Sequence, residues 1–118
     1  MKKKIKKKNN RIAIITGSSG LIGNFASQLF LNQNFIVYGL DVKEKKIKSN
    51  KFKFKKIDIS KFDKTKNFIS SLYKKHQQID LVINNAGVSF KSSYLKRTPK
   101  ELKDTININL LGVINIIN

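Results

Sequence analysis

The stretch that most constrains this chain is RIAIITGSSGLIG, Arg11 to Gly23. Four apolar residues, Ile12 to Ile15, run unbroken toward a turn with glycine at positions 17, 20 and 23. A continuous apolar run of that length predicts a strand buried on both faces, and such strands belong to sheets covered by helices on both sides. From Leu21 onward, apolar residues at 21, 22, 25, 26, 29 and 30 have the spacing of a helix that extends to Asn32. A strand that turns through glycines straight into a helix opens a βαβ unit.

The pattern then repeats. Residues 35–40, FIVYGL, predict a second buried strand that closes at Asp41. A charged connection follows, and FKFKKI at 52–57 alternates as a third strand. Its lysines suit a sheet edge, where charge prevents pairing with other chains. Ser60, with Asp63 three residues on, reads as the N-cap of a helix whose Phe62, Ile69, Leu72 and Tyr73 share a face. Residues 79–83, IDLVI, predict a fourth strand before NNAG, and Pro99 after Thr98 opens a final helix that is apolar at 106, 108, 110, 111, 113, 114 and 116. Strands alternating with helices imply an α/β fold with a parallel sheet. Right-handed crossovers and the doubly wound order give 3-2-1-4, a Rossmann-type sheet that is incomplete, its later strands missing. The lysine-bearing strand then falls at the edge.

The 118 residues suffice for one domain or part of one. Absence of cysteine excludes disulfides and thiolate metal sites and fits a reducing compartment. Only IAII follows the basic N-terminus, short of the roughly 7–15 apolar residues of a signal peptide core. No stretch approaches the roughly 20 apolar residues of a membrane span. A cytoplasmic protein without a membrane partner is expected. Net charge is +18, and residues 1–11 hold only seven of the 25 basic groups, so the excess runs through the whole chain. Abundant Lys, Asn, Ile and Phe are the imprint of AT-rich codons, which makes the charge compositional and nucleic acid an unlikely partner. Residues 1–10 read as a basic, disordered arm, because like charges repel and nothing there can pack. Residues 11–118 read as the N-terminal part of a dinucleotide-binding domain, truncated within the helix after strand four.

The glycines explain that last assignment. In an open parallel sheet, ligands sit beyond the carboxyl ends of the strands. Gly17 permits a tight turn, Gly20 removes a side chain that would block a phosphate, and Gly23 lets the helix pack closely on the strand. The N–H groups of Ser19, Leu21 and Ile22, at the helix opening, then face a pyrophosphate, and the helix dipole adds about 0.3–1 kcal/mol. Asp41 lies 18 residues beyond Gly23. A carboxylate there accepts both ribose hydroxyls of an adenosine, each charge-assisted bond contributing about 1.5–3 kcal/mol. It would repel a 2′-phosphate, so NAD is expected over NADP, although Lys43, Lys45 and Lys46 lie close by and soften the discrimination.

Together, TGSSGLIG at 16–23, Asp41, the DI pair at 58–59, NNAG at 84–87 and NLLG at 109–112 resemble the short-chain dehydrogenase/reductase family. The resemblance extends from Arg11 to the last residue. It implies that Asp58 and Ile59 contact adenine, and that Asn84, Ala86 and Gly87 brace the fourth strand beside the cofactor. It makes Asn109 the supporting catalytic asparagine, which holds a water in a proton relay, with Asn107 as the competing candidate. The complete enzyme would pass a hydride between nicotinamide and a carbonyl or alcohol of a small-molecule substrate, and would form a homo-oligomer.

Two features depart from that family. The turn reads TGxxGxxG where the short branch usually has TGxxxGxG. This spacing is typical of the extended branch, which includes nucleotide-sugar epimerases and dehydratases, and such a fragment is one alternative. A non-catalytic nucleotide- or RNA-binding module is another. The family's serine and YxxxK, in which tyrosine acts as general acid or base, lie beyond the helix of Asn109. None of Tyr38, Tyr73 and Tyr94 has a lysine four residues on, so no turnover is expected of this chain alone. His76, the sole histidine, reads as exposed and makes no metal site by itself. Ser92 and Ser93 read as loop.

Overall fold

The computed structural model describes residues 10–118, so all but the last residue of the expected basic arm lies outside it. Its strands are β1 (Ile12–Thr16), β2 (Ile36–Asp41), β3 (Phe52–Lys56) and β4 (Leu81–Ile83). The first two helices are α1 (Leu21–Asn32) and α2 (Phe62–His76). After β4 come a 3-10 turn (Tyr94–Lys96), α3 (Pro99–Ile106), a π-helical turn (Asn107–Leu111) and α4 (Gly112–Ile117). The four strands form one parallel sheet in the order β3-β2-β1-β4. Both the order and the lysine-bearing edge agree with the expectation from sequence.

Burial follows the period-two alternation of β1, all five residues of which are inaccessible to solvent. Ile12 and Ile14 join Tyr38, Leu40, Ile57, Ile59, Leu72 and Ile116 on the face covered by α2 and α4. Ala13 and Ile15 join Phe35 and Val37 on the other face, under Ala26, Phe30 and Leu31 of α1. A strand with core on both sides cannot shift register by one residue without exchanging its two faces. Residues 12–16 pair with 36–40, and 13–15 with 81–83, so β1, β2 and β4 end side by side. The chain winds outward from β1 to β3 and returns to β4 across β1, which puts the switch point between β1 and β4.

Several local expectations need correction. The N-cap of α2 is Lys61, with no side-chain cap, because the Ser60 hydroxyl and N–H both bond to Asp58 Oδ1. The buried stripe of α2 consists of Thr65, Phe68, Ile69 and Leu72, while Phe62 and Tyr73 are exposed. β4 is shorter than the apolar run suggested, since the Asp80 carboxylate caps the start of β1 by accepting the Ile12 N–H at 2.6 Å. His76 is half-buried and lies 2.7 Å from the Tyr38 hydroxyl. By contrast Thr98, Pro99 and Glu101 form a complete capping box with proline in the first turn of α3. Among the described residues, no helix is long and apolar enough to cross a membrane.

Candidate cofactor-binding site

The site begins with three glycines that the backbone needs for different reasons. Gly17 has φ +64°, a left-handed conformation that costs a side chain about 1–2 kcal/mol, and a Cβ there would lie 2.9 Å from the Ala86 Cα. A Cβ on Gly23 would lie 2.0 Å from the Gly17 carbonyl oxygen, so α1 can approach the turn only with glycine there. At Gly20 the nearest atom would be 3.5 Å away, ordinary contact. The first two are therefore fixed by packing, whereas Gly20 faces open space. Gly20 is also the N-cap of α1 and offers no side-chain cap. The N–H groups of residues 21–23, in the first helical turn, thus lack intrahelical acceptors and face outward.

The turn is tied to both neighbouring strands. Thr16 Oγ1 accepts the N–H groups of Asn85 and Ala86, each at 3.0 Å, and the Asn85 side-chain amide donates to the Thr16 and Gly17 carbonyls at 3.2 Å. On the β2 side, the Ser19 N–H donates to Asp41 Oδ2 at 3.0 Å, and Val42 N–H donates to Asp41 Oδ1 at 2.7 Å. Asp41 thus stands at the end of its strand, directly beside the glycine turn.

Between these elements lies a cleft of about 550 Å³. Its walls include Gly17, Gly20, Asp41, Asp58, Ile59, Ala86 and Gly87, seven of the residues singled out in the sequence. Ser19, Leu21, Ile22 and Gly23 belong to the turn and the first helical residues rather than to the cleft lining, and the side chains of Leu21 and Ile22 are exposed. Asn84 is exposed and outside the lining, and its neighbour Asn85 braces the strand. Ile59 packs on Gly112, where a Cβ would lie 2.7 Å from its Cδ1, and its carbonyl accepts from Asn115 at 2.8 Å. Asn109 also lies outside the lining. Its amide accepts the Val88 N–H at 2.7 Å and donates to the Val88 carbonyl at 2.9 Å, so both polar ends are occupied by one backbone unit. Asn107 does line the cleft, opposite the Asp41 side, with Lys100 and Asp104 of α3. The helix widens into a π turn over Asn107–Leu111, which contains both asparagines, a distortion frequent at functional sites.

Thr16 and Asn85 were not foreseen. Thr16 opens the TGSSGLIG motif, where the sequence gives it no role of its own. The choice between Asn84 and Asn85 depends on where β4 stops, and sequence placed that boundary without resolving the residues after it. Among the described residues, no cluster of potential metal ligands exists.

The sequence model for short chain dehydrogenase matches residues 11–118. The chain belongs to the short-chain dehydrogenase family. An uncharacterised oxidoreductase of Saccharomyces cerevisiae is 32% identical over 114 residues, covering 92% of this chain and 37% of that protein. A short-chain dehydrogenase from Leptospira borgpetersenii, solved with bound NAD+, superposes with a TM-score of 0.86 at 29% identity, covering 92% of this chain and 44% of that one. ElxO, solved with NADPH, shares the fold at 22% identity, with a TM-score of 0.83 over 92% of this chain and 48% of its own. The chain therefore spans less than half the length of these short-chain dehydrogenases. The Rossmann-type sheet is that of the family, and these likenesses favour neither the epimerase or dehydratase reading nor the RNA-binding one.

Proposed function

We propose that this short-chain dehydrogenase chain binds a nicotinamide dinucleotide in the cleft between β1, β2 and β4, as the cofactor-holding part of an NAD-dependent oxidoreductase. The observation that carries this reading is the uncapped start of α1, whose outward N–H groups sit beside the Asp41 carboxylate. An anion fits those N–H groups, because helix openings attract negative charge and Gly20 puts no side chain in its path. Asp41 Oδ2 accepts the Ser19 N–H, Oδ1 accepts the N–H groups of Val42 and, at 3.5 Å, Lys43, and the carboxylate keeps lone pairs for a ribose hydroxyl. A 2′-phosphate would meet that carboxylate at close range, which favours NAD over NADP. Asp58 and Ile59 form the wall on which adenine would rest, opposite Ala86 and Gly87.

When bound, the nicotinamide supplies hydride acceptance or donation. This chain's own residues bind and orient the dinucleotide. Thr16 and Asn85 keep the turn and the β4 end in register, and Asn109 fixes the backbone of Val88 beside the site. The YxxxK pair that the family resemblance calls for in proton transfer does not occur in these 118 residues, so the reading proposed for this chain is cofactor binding.

Amide NMR spectra recorded while ADP-ribose is added test the reading. Signals of residues 17–23, Asp41, Asp58, Ile59 and residues 85–88 should shift together and saturate. Shifts confined to the lysines of β3 and α2 would contradict it, because they would report charge attraction alone.

A further inference from the structure

The Ser19 side chain has an arrangement that pyrophosphate binding does not require. Its hydroxyl donates to the Lys43 carbonyl and accepts the Lys45 N–H, the latter at 3.1 Å. Its own N–H is meanwhile on Asp41 Oδ2. One residue of the glycine turn therefore pins the chain that leaves β2 at two successive points, while Asp41 Oδ1 holds Val42 N–H and, at 3.5 Å, Lys43 N–H. The pinned segment carries Lys43, Lys45 and Lys46, all within five residues of Asp41. Among the described residues, none of them comes within ion-pair distance of that carboxylate, and the one ion pair is Lys100–Asp104.

Two of the pinned lysines, Lys45 and Lys46, face elsewhere. Lys45, Lys46 and Lys48 line a separate cleft of about 470 Å³ against Asn24 and Gln28 on the polar side of α1. No lysine from this connection lines the cofactor cleft, whose wall here is Asp41 and Val42. The Asp41 end of the cleft is thus kept clear of the neighbouring lysines by the path of its backbone, and the lysines that do line the cleft are Lys61 and Lys100.

We propose that Ser19 is a specificity-determining positioning residue. Its hydroxyl ties down the Lys43–Lys45 backbone so that Lys45 and Lys46 point away from Asp41, and this preserves discrimination against a 2′-phosphate. The proposal rests on the dinucleotide reading above. Releasing the tie lets a lysine ammonium swing toward the ribose 2′ position, where it attracts a phosphate and offsets the Asp41 charge. Ser19→Ala removes the hydroxyl and leaves the N–H on Asp41, so the variant separates the tie from the carboxylate's own contact.

The test is calorimetric titration of the 118-residue chain with NAD and with NADP, for wild type, Ser19→Ala and Ser19→Thr. The readout is the ratio of the two dissociation constants, which a loss of folded protein does not move. Wild type should favour NAD. Ser19→Ala should shift the ratio toward NADP by about tenfold, equivalent to about 1.4 kcal/mol, and Ser19→Thr should restore it. A wild-type-like ratio in Ser19→Ala, or a wild type without preference for NAD, overturns the proposal. Failure of wild type to bind either nucleotide overturns the dinucleotide reading itself. If Ser19→Ala does not fold, hydrogen exchange at the wild-type Lys45 amide decides: protection well above an open chain supports the tie, and open-chain exchange overturns it.

Discussion

Thr16 and Asn85 hold the ends of β1 and β4 together from both sides. The threonine hydroxyl accepts the Asn85 N–H at 3.0 Å, and the asparagine amide returns a bond to the Thr16 carbonyl at 3.2 Å. Thr16 is fully buried, so its oxygen has no water to replace these partners. The pair sits at the switch point of the sheet, where the cofactor cleft opens.

Thr16→Val keeps the shape and removes the oxygen, which leaves the Ala86 N–H unpaired and the Asn85 N–H with the Ile83 carbonyl alone. An unsatisfied, partly buried donor costs about 1–3 kcal/mol. The variant should unfold at lower denaturant concentration by about that amount and bind dinucleotide more weakly. Thr16→Ser, which keeps the oxygen, should remain close to wild type by denaturant titration.

The three glycines should separate into two classes under alanine substitution. Gly23→Ala forces a Cβ to 2.0 Å from the Gly17 carbonyl, and Gly17→Ala combines a positive φ with contacts at 2.9 Å. Overpacking of this kind costs about 1–3 kcal/mol or more, and both variants should be strongly destabilised in thermal melts. Gly20→Ala meets nothing closer than 3.5 Å, so its melting temperature should hardly change while its dinucleotide affinity falls.

The β1 run, the helix at 21–32 and the lysine-bearing edge were legible in the sequence because each carries a period or a run that only one environment satisfies. The packing roles of Gly17 and Gly23 were legible for the same reason, since both obey a spacing fixed by backbone contact. Asn85 was not, because two adjacent asparagines differ only in which way the chain points after Ile83, and that is decided by the Thr16 hydroxyl across the sheet. The capping role of Ser60 went instead to a turn with Asp58. There the hydroxyl donates to the Asp58 carboxylate instead of accepting a helix N–H, and α2 starts at Lys61 without a side-chain cap. The Ser19 tie joins residues more than 20 apart in sequence and leaves no local pattern.

His76 links stability to pH. Burial, and secondarily the Lys75 charge, lower its pKa below the ordinary 6.5. The neutral ring lets Nε2 accept the Tyr38 hydroxyl proton, and protonation removes that acceptor. With the folded pKa depressed, the unfolded chain takes up the proton first as pH falls. This contribution to stability is therefore full above about pH 6.5 and declines as pH drops through the lower folded value. Urea titrations between pH 8 and 5 should show stability falling toward the acid side. His76→Gln should flatten that slope, and an unchanged slope would remove His76 as its source.

Lys100 and Asp104, 2.6 Å apart on an exposed turn of α3, should matter little to the fold. The Asp104 carboxylate raises the Lys100 pKa by hydrogen bonding and charge, but solvent and salt screen such a pair. Lys100→Met should leave the melting temperature unchanged in moderate salt. Any effect should be on dinucleotide affinity, because both residues border the cleft.

The most direct measurement is calorimetric titration of the chain with NAD+, with Asp41→Ala as the comparison. The account predicts saturable binding at one site, displaced by ADP-ribose and weakened in Asp41→Ala by at least about 1.5–3 kcal/mol, the contribution of one charge-assisted bond to the ribose. Absence of saturable binding, or equal binding by wild type and Asp41→Ala, would contradict it.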